Sequence, residues 1–402
     1  MKVTLEDIKL AQKTIENLIV RTPTDFSNSC SKLVGAEIYL KLENTQRTGS
    51  FKMRGAANKI ASLSAAEKAK GVIACSAGNH AQGVALSASL NKVKSIIIMP
   101  ETAPLTKIQA TQNYGAEIIL KGQMFDEARD YAYQLANEKS YVVVHPYEDE
   151  KVIAGQGTIG LEVYEQVQGL DTMIVPIGGG GLISGIAVAL KTLNPKIRII
   201  GVQAAAADSM YQYFKNKIFP ETNKAVASIA DGIAIKTPSQ NMYESFISKY
   251  VDEVVTVSEG EIAEAIVYLL ERVKTVAEGA GAAALAAVLS NKVKLGAKNC
   301  VLVCGGNIDL NIVSQVIQRG QIQRGRLSEM SVIVPDVPGS LSQLTRILAE
   351  HKANILEVQH DRVEHGLNLK ETKIDFVIET TSHEHINQIS DALRKWGARL
   401  LT

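Results

Sequence analysis

Between Ala36 and Gly320, short apolar runs alternate with longer stretches in which apolar residues recur at helical spacing. The runs "EIYLKL", "GVIACSA", "SIIIMP", "EIILK", "YVVVHP", "TMIVPI", "RIIGVQA" and "NCVLVCGG" are rich in β-branched residues, and several are apolar at consecutive positions. Strands covered on both faces read this way, so these runs are expected to be strands of parallel sheets. Between them "AQGVALSASLN" and "LISGIAVALKTLN" read as packed helices, and the opening "MKVTLEDIKLAQKTIENLI" as an amphipathic one. This alternation predicts an α/β fold of doubly wound open sheets, whose ligands sit beyond the carboxyl ends of the strands.

The pattern changes after the helical "NIVSQVIQRGQIQRG". The remaining chain reads as strand, turn, helix, strand, strand, helix and a short last strand. Its first turn, "DVPGSL", is bent by Pro338 and Gly339, and Ser340 is placed to cap the helix that follows. The boundary is expected near Gly325. Residues 1–325 would form one domain, with a smaller subdomain within it from about residue 50 to 150, and residues 326–402 a second.

Composition narrows the class. Of 402 residues, 46% are apolar and 21% charged, which suits a packed chain and excludes extensive disorder. With 43 basic residues against 42 acidic ones and no charge run, no nucleic-acid or membrane-surface partner is expected. No apolar run reaches the length of a membrane span, and the start lacks the apolar core of a signal peptide. Four scattered cysteines match neither a disulfide framework nor a zinc pattern, so the expected compartment is the cytoplasm. Five of the seven histidines, His351, His360, His365, His383 and His385, fall in the tail. Their spacings match no common ligand pattern, and no metal site is expected.

Three strand-to-helix loops carry candidate chemistry. In "PIGGGGLISG", Gly178, Gly179, Gly180 and Gly181 end a strand and open a helix, so their amides and the helix dipole suit a phosphate. The loop lacks the Lys-Ser or Lys-Thr of a Walker loop and the spaced glycines of a dinucleotide site. In "SAGNHAQG", backbone amides at a second helix start suit a carboxylate, and Asn79 offers a side-chain amide. In "VLVCGGNIDL", Cys304 ends an apolar strand. Taken singly, each has a plain structural reading as tight packing, a helix cap or a small core residue. Together with Lys52 in "TGSFKMRGA", they supply a reactive amine, a phosphate cradle, a carboxylate loop and a soft polar group. That inventory matches pyridoxal 5′-phosphate and an amino-acid substrate.

These motifs resemble those of the serine/threonine dehydratases, a family of fold-type II pyridoxal-phosphate enzymes, over about the first 320 residues. The tail resembles an ACT domain. The resemblance implies the tryptophan-synthase-β-like fold of two doubly wound subdomains, followed by a ferredoxin-like βαββαβ unit. It implies that Lys52 holds the cofactor covalently with Phe51 beside the ring, and that Gly178 to Gly181 and Leu182 hold its phosphate. It further implies that Asn79 meets the ring hydroxyl oxygen and Cys304 the pyridine nitrogen. Ser76, Ala77, Gly78, Asn79 and His80 would receive the substrate carboxylate. The implied reaction is β-elimination, threonine giving 2-oxobutanoate and ammonia, and serine pyruvate. Arg54 is expected in a structural ion pair, and Glu278 near the site without an assigned role. In the tail, Asp336, Pro338, Gly339, Ser340 and Leu341 would bind an amino-acid effector, with isoleucine or valine the first choices. Paired ACT domains imply a homo-oligomer, a tetramer or dimer.

Two departures bear on rival activities. Serine racemases, which resemble this chain, carry a serine where Ala77 stands, and carboxylates for a divalent metal where Gln203 and Ser209 stand. Racemisation of serine or threonine, dehydration of 3-hydroxyaspartate, and a non-catalytic amino-acid sensor are the alternatives to be separated.

Overall fold

Each of the eight apolar runs forms a strand in the computed structural model, which describes residues 1–217, 227–363 and 367–401. His365 lies outside the described residues. The chain forms two compact units, Met1–Ile308 and Asp309–Thr402.

The first unit holds ten strands: β1 (Thr24–Phe26), β2 (Glu37–Leu42), β3 (Val72–Cys75), β4 (Ser95–Met99), β5 (Glu117–Leu120), β6 (Val142–Val143), β7 (Thr172–Pro176), β8 (Arg198–Ala204), β9 (Glu253–Val257) and β10 (Lys298–Val303). They make two sheets. One has the order β1-β2-β10-β7-β8-β9, parallel except for β1, and the other β5-β4-β3-β6, parallel throughout. Both orders put late strands beside early ones through helical crossovers, as doubly wound sheets require. The strands β1 and β9 were not among the expected runs. β1 is a three-residue antiparallel edge with a half-exposed Phe26, and β9 is only partly buried, so neither shows a continuous apolar signature.

The Glu150–Gln166 helix is the spine of this unit. Asp149 caps it through two backbone N–H groups, and every residue from Val152 to Val163 is buried. It meets its neighbours backbone to backbone. A Cβ on Gly155 would come within 2.6 Å of the Arg54 carbonyl oxygen and 2.8 Å of Gly55 Cα in the Lys52–Ala61 helix. A Cβ on Gly185 in the Gly181–Leu193 helix would overlap the Ile153 carbonyl and approach Gly157 N to 2.6 Å.

Beside this spine lies a sealed group of four charges. Arg54 forks onto Glu43 (Nε 2.8 Å, Nη2 2.8 Å) and onto Glu162 (Nη1 2.7 Å, Nη2 2.9 Å), while Lys41 donates to Glu162 at 2.6 Å and to the Thr22 carbonyl at 2.7 Å. Burial opposes the charges of Arg54, Lys41 and Glu43. The two carboxylates nevertheless hold the Arg54 guanidinium firmly protonated, and Arg54 keeps Glu43 ionised. Two cations face two anions, which ties β2, the Lys52–Ala61 helix and the spine together. Removing one partner of such a set typically costs about 3–5 kcal/mol. Arg54 is thus in the structural ion pair expected of it.

The second unit has the order strand, helix, strand, strand, helix, strand that the tail predicts: β11 (Leu327–Pro335), Ser340–Glu350, β12 (Asn354–Asp361), β13 (Glu371–Glu379), His383–Trp396 and β14 (Arg399–Leu401). Its antiparallel sheet runs β12-β13-β11-β14, and Val332, Val334, Ile374 and Phe376 pack against Leu344, Leu348 and Leu393 of the helices. One expectation fails: Ser340 does not cap. Gly339, at φ +99°, takes the cap position, and the Ser340 hydroxyl instead donates back to the Pro335 carbonyl at 2.7 Å. Three of the tail histidines, His351, His383 and His385, pair with backbone carbonyls. His385 pairs with the His351 carbonyl at 2.6 Å, and His383 with that of Gln323 at 2.9 Å.

Candidate active site

Lys52 opens its helix at the carboxyl edge of the six-stranded sheet, and a backbone stitch sets its position. Phe51 N donates to the Cys304 carbonyl (3.0 Å), Gly306 N to that of Gly49 (2.8 Å), and Ser50 bridges Gly305. The lysine loop and the cysteine loop therefore lie side by side. The Lys52 amine donates to the Pro146 carbonyl at 2.9 Å and stands 5.2 Å from the Phe51 ring centroid. Burial lowers its ammonium to about 8, against the opposing pull of Cys304 and Glu278. A fraction of the amine is consequently neutral at physiological pH, as a nucleophile or base requires.

The Asn79–Leu90 helix crosses this lysine at Gly83, where a Cβ would stand 3.1 Å from the Lys52 carbonyl carbon. Its start brings the second loop alongside. Ser76 N pairs with the Ile98 carbonyl and Gly78 N with the Ser76 hydroxyl, at 3.2 Å. Among the described residues, the N–H groups of Ala77, Asn79 and His80 meet no protein acceptor. The His80 ring turns away, pairing Nε2 with the Val144 carbonyl at 2.8 Å. Burial drives its value down to about 3, so the ring is neutral and Nε2 carries the proton. His80 accordingly offers the site its amide rather than its imidazole.

The glycine loop follows β7. Gly180 holds φ +96°, and Gly181 starts the 13-residue helix with no side-chain cap. Among the described residues, none of the N–H groups from Gly178 to Leu182 donates to a protein acceptor, although all but Gly178 are buried. Buried unpaired donors are costly, and four of them beside Gly178 at a helix N-terminus fit an anionic phosphate. The small size of these residues is required by Tyr147: a Cβ on Gly179 would overlap its ring, and one on Gly181 would stand 2.8 Å from its carbonyl oxygen. Pro146 receives the lysine and Tyr147 covers the cradle, so adjacent residues touch both ends of the site.

Cys304 completes the floor. Its Sγ donates to the Ala280 carbonyl at 3.4 Å, and burial pushes the thiol well above its ordinary value, so it stays a neutral thiol. Sequence reasoning assigned no role to Asn307 or to the Pro146–Tyr147 segment. Asn307 Nδ2 donates to Asn79 Oδ1 (2.7 Å) and to the Thr48 carbonyl (2.8 Å), while Asn79 Nδ2 donates to Glu278 at 2.7 Å. A polar amide just after the Gly305–Gly306 pair at a strand end was the available signal. At the positions discussed for a divalent metal, Gln203 Oε1 accepts from Tyr211 N at 2.7 Å and Ser209 donates to the Ile235 carbonyl at 2.8 Å. Lys107 of the Leu105–Asn113 helix bonds Asp231 at 3.0 Å, linking the four-stranded subdomain to a turn whose Ile233 packs on Gly178.

The model of the pyridoxal-phosphate dependent enzyme family matches residues 15–306, and that of the ACT domain residues 328–395. The L-threonine ammonia-lyase of Thermotoga maritima is 46% identical over 391 residues, 97% of each chain. An L-threonine dehydratase, catabolic TdcB, of Staphylococcus aureus is 50% identical over 323 residues, 79% of this chain and 93% of that one. Maize serine racemase has a solved structure that covers 80% of this chain and 99% of its own, with a TM-score of 0.75 and 34% identity.

Proposed function

We propose a residue assignment for a chain that belongs to the pyridoxal-phosphate-dependent threonine dehydratase and ammonia-lyase family and carries a C-terminal ACT domain. It is a pyridoxal-phosphate-dependent lyase acting on threonine and related β-hydroxy amino acids. The residues present fit the cofactor, the unpaired amides of Gly178 to Leu182 taking its phosphate and Lys52 its aldehyde carbon. Asn79 and Cys304 address the ring oxygen and ring nitrogen, and Phe51 flanks the ring. Bound there, the cofactor supplies an electron sink for the charge left at Cα when its proton departs.

The chain's own groups do the rest. The amides of Ala77, Asn79 and His80, with Ser76 and Gly78, receive the substrate carboxylate at a helix N-terminus. The Lys52 amine would take the Cα proton as general base, helped by a value already near neutrality. The β-hydroxyl then leaves as water, and one water is taken up to hydrolyse the imine that results, so threonine yields 2-oxobutanoate and ammonia, and serine pyruvate and ammonia. The observation that carries this reading is the half-buried Lys52 amine sharing one two-residue segment, Pro146–Tyr147, with a cradle of unpaired amides. Racemisation is disfavoured because the Ala77 side chain has no proton to deliver to the opposite face.

In the second unit, the turn from Asp336 through Pro338 and Gly339, exposed up to Gly339, to the buried Ser340 and the half-buried Leu341 is the effector site, taking isoleucine or valine. Its helix begins without a side-chain cap, which leaves amides for an effector carboxylate. We read the chain as a dimer or tetramer, a reading supported by the edge strand β12 with its half-exposed Leu356 and Val358. No helix among the described residues is long and apolar enough to cross a membrane, and the cytoplasm is the proposed place of work. Borohydride treatment of the protein saturated with pyridoxal phosphate is expected to fix the cofactor at Lys52. The Lys52→Ala variant should lose about a thousandfold or more in 2-oxobutanoate formation. Fixation at another residue, or full turnover by the variant, would overturn the assignment.

A further inference from the structure

Glu278 is buried in the site, is titratable, and has no part in the reaction above. It occupies the cap position of the Gly279–Leu289 helix yet makes no capping bond. Its Oε1 accepts from Asn79 Nδ2 at 2.7 Å, and a Cβ on Gly305 would overlap that oxygen and reach 3.2 Å from Asn79 Nδ2. Gly305 is therefore what lets the two side chains meet. On the opposite side, Asn307 donates both to Asn79 Oδ1 and to the Thr48 carbonyl. The Asn79 amide is gripped at its oxygen by one loop and at its nitrogen by another. One N–H is left over.

We propose that Glu278 is a positioning residue for the cofactor, holding the Asn79 amide so that its remaining N–H meets the ring oxygen of pyridoxal phosphate, and that it does so as the neutral acid. The inference rests on the reading of this site as the cofactor site. A neutral carboxyl accepts through its carbonyl oxygen and places no second anion beside an electron-rich ring oxygen and a phosphate. The surroundings support that form. Burial pushes Glu278 up to about 8, Asp231 pushes the same way, and the Asn79 bond, Lys107 and Lys52 pull it down. The titratable and charged groups facing it are thus Asp231 from the turn beside Gly178, Lys107 from the Leu105–Asn113 helix, Lys52, and the Cys304 thiol. Below about pH 8 Glu278 is an acid; above it, an anion that repels the cofactor.

The test measures the dissociation constant of pyridoxal phosphate by equilibrium dialysis with the apo form of the full chain, at pH 7 and pH 9, alongside the visible absorption band of the bound form. Three proteins are compared: wild type, Glu278→Gln and Glu278→Ala. The glutamine keeps an acceptor for Asn79 without a titrating proton. It should bind within about twofold of wild type at pH 7 and escape part of the wild-type weakening at pH 9. The alanine should bind about tenfold more weakly at both values and shift the absorption band. Lys52 titrates in all three, so the difference between wild type and glutamine isolates Glu278. Parallel weakening of those two between pH 7 and pH 9, or an alanine variant that binds like wild type, overturns the proposal. If the alanine variant does not fold, the glutamine comparison decides alone. A wild type that binds no cofactor and yields no borohydride adduct at Lys52 would strike the site reading itself.

Discussion

At the scale of single residues, the site joins groups whose roles differ in how openly the sequence displays them. Lys52 is legible because a lysine after Gly-Ser-Phe at a helix start has few reasons to be buried. His80 is not, because only the fold reveals that its ring faces the Val144 carbonyl while its amide faces the site. That ring has a stability signature. Its folded value lies near 3 and its ordinary value at 6.5, so between those limits the unfolded chain binds the proton first. The stability present above pH 6.5 should therefore drain away as pH falls, by about 1.4 kcal/mol per unit. In His80→Gln, where the amide nitrogen can replace Nε2 as donor, that slope should vanish from urea unfolding between pH 6.5 and 4.5. Parallel curves for the two proteins would exclude the idea. Asn307 was only half legible: its place after the Gly305–Gly306 pair marks it, but its bonds to Asn79 and the Thr48 carbonyl belong to the fold.

Among elements, the strands were the readable part. Parallel strands buried on both faces must be apolar throughout, and eight runs declared themselves on that ground, whereas β1 and β9 lacked the coverage that produces the signal. The Glu150–Gln166 spine was not readable, because its glycines matter only for what approaches them. Gly155 brings the spine against the lysine helix and Gly157 brings it against the cradle helix, so the separation of amine and phosphate is set by backbone contacts. Gly155→Ala should force the lysine helix outward, costing about 2 kcal/mol in thermal unfolding. It should also lower threonine turnover about tenfold or more, since small misplacements of a reacting group are expensive. A variant with wild-type stability and turnover would show that the crossing is not a spacer.

For the whole molecule, the change in pattern after Gly320 made a second unit legible, and its strands and helices follow along the chain in the order read from the tail, although the compact units divide earlier, after Ile308. Which loop serves which ligand did not follow, because Gly339 displaced Ser340 from the cap position through backbone conformation alone. Calorimetry of the full chain with isoleucine and with valine should give one saturable binding event per chain, and Gly339→Val should weaken it about tenfold by straining the turn. Heat release unchanged in the variant would move the effector elsewhere.

The contrast between the sealed Arg54 group and the solvent-facing Lys107–Asp231 bond carries a consequence for behaviour in brine. Mobile ions reach charges that water reaches, and at 1 M they screen such charges from one another beyond about 3 Å. Lys107 and Asp231 lie within that reach, whereas Arg54, Glu43, Lys41 and Glu162 do not. Concentrated electrolyte should thus loosen the Asp231 turn from the four-stranded subdomain while leaving the lysine helix anchored, so that the two respond to salinity separately.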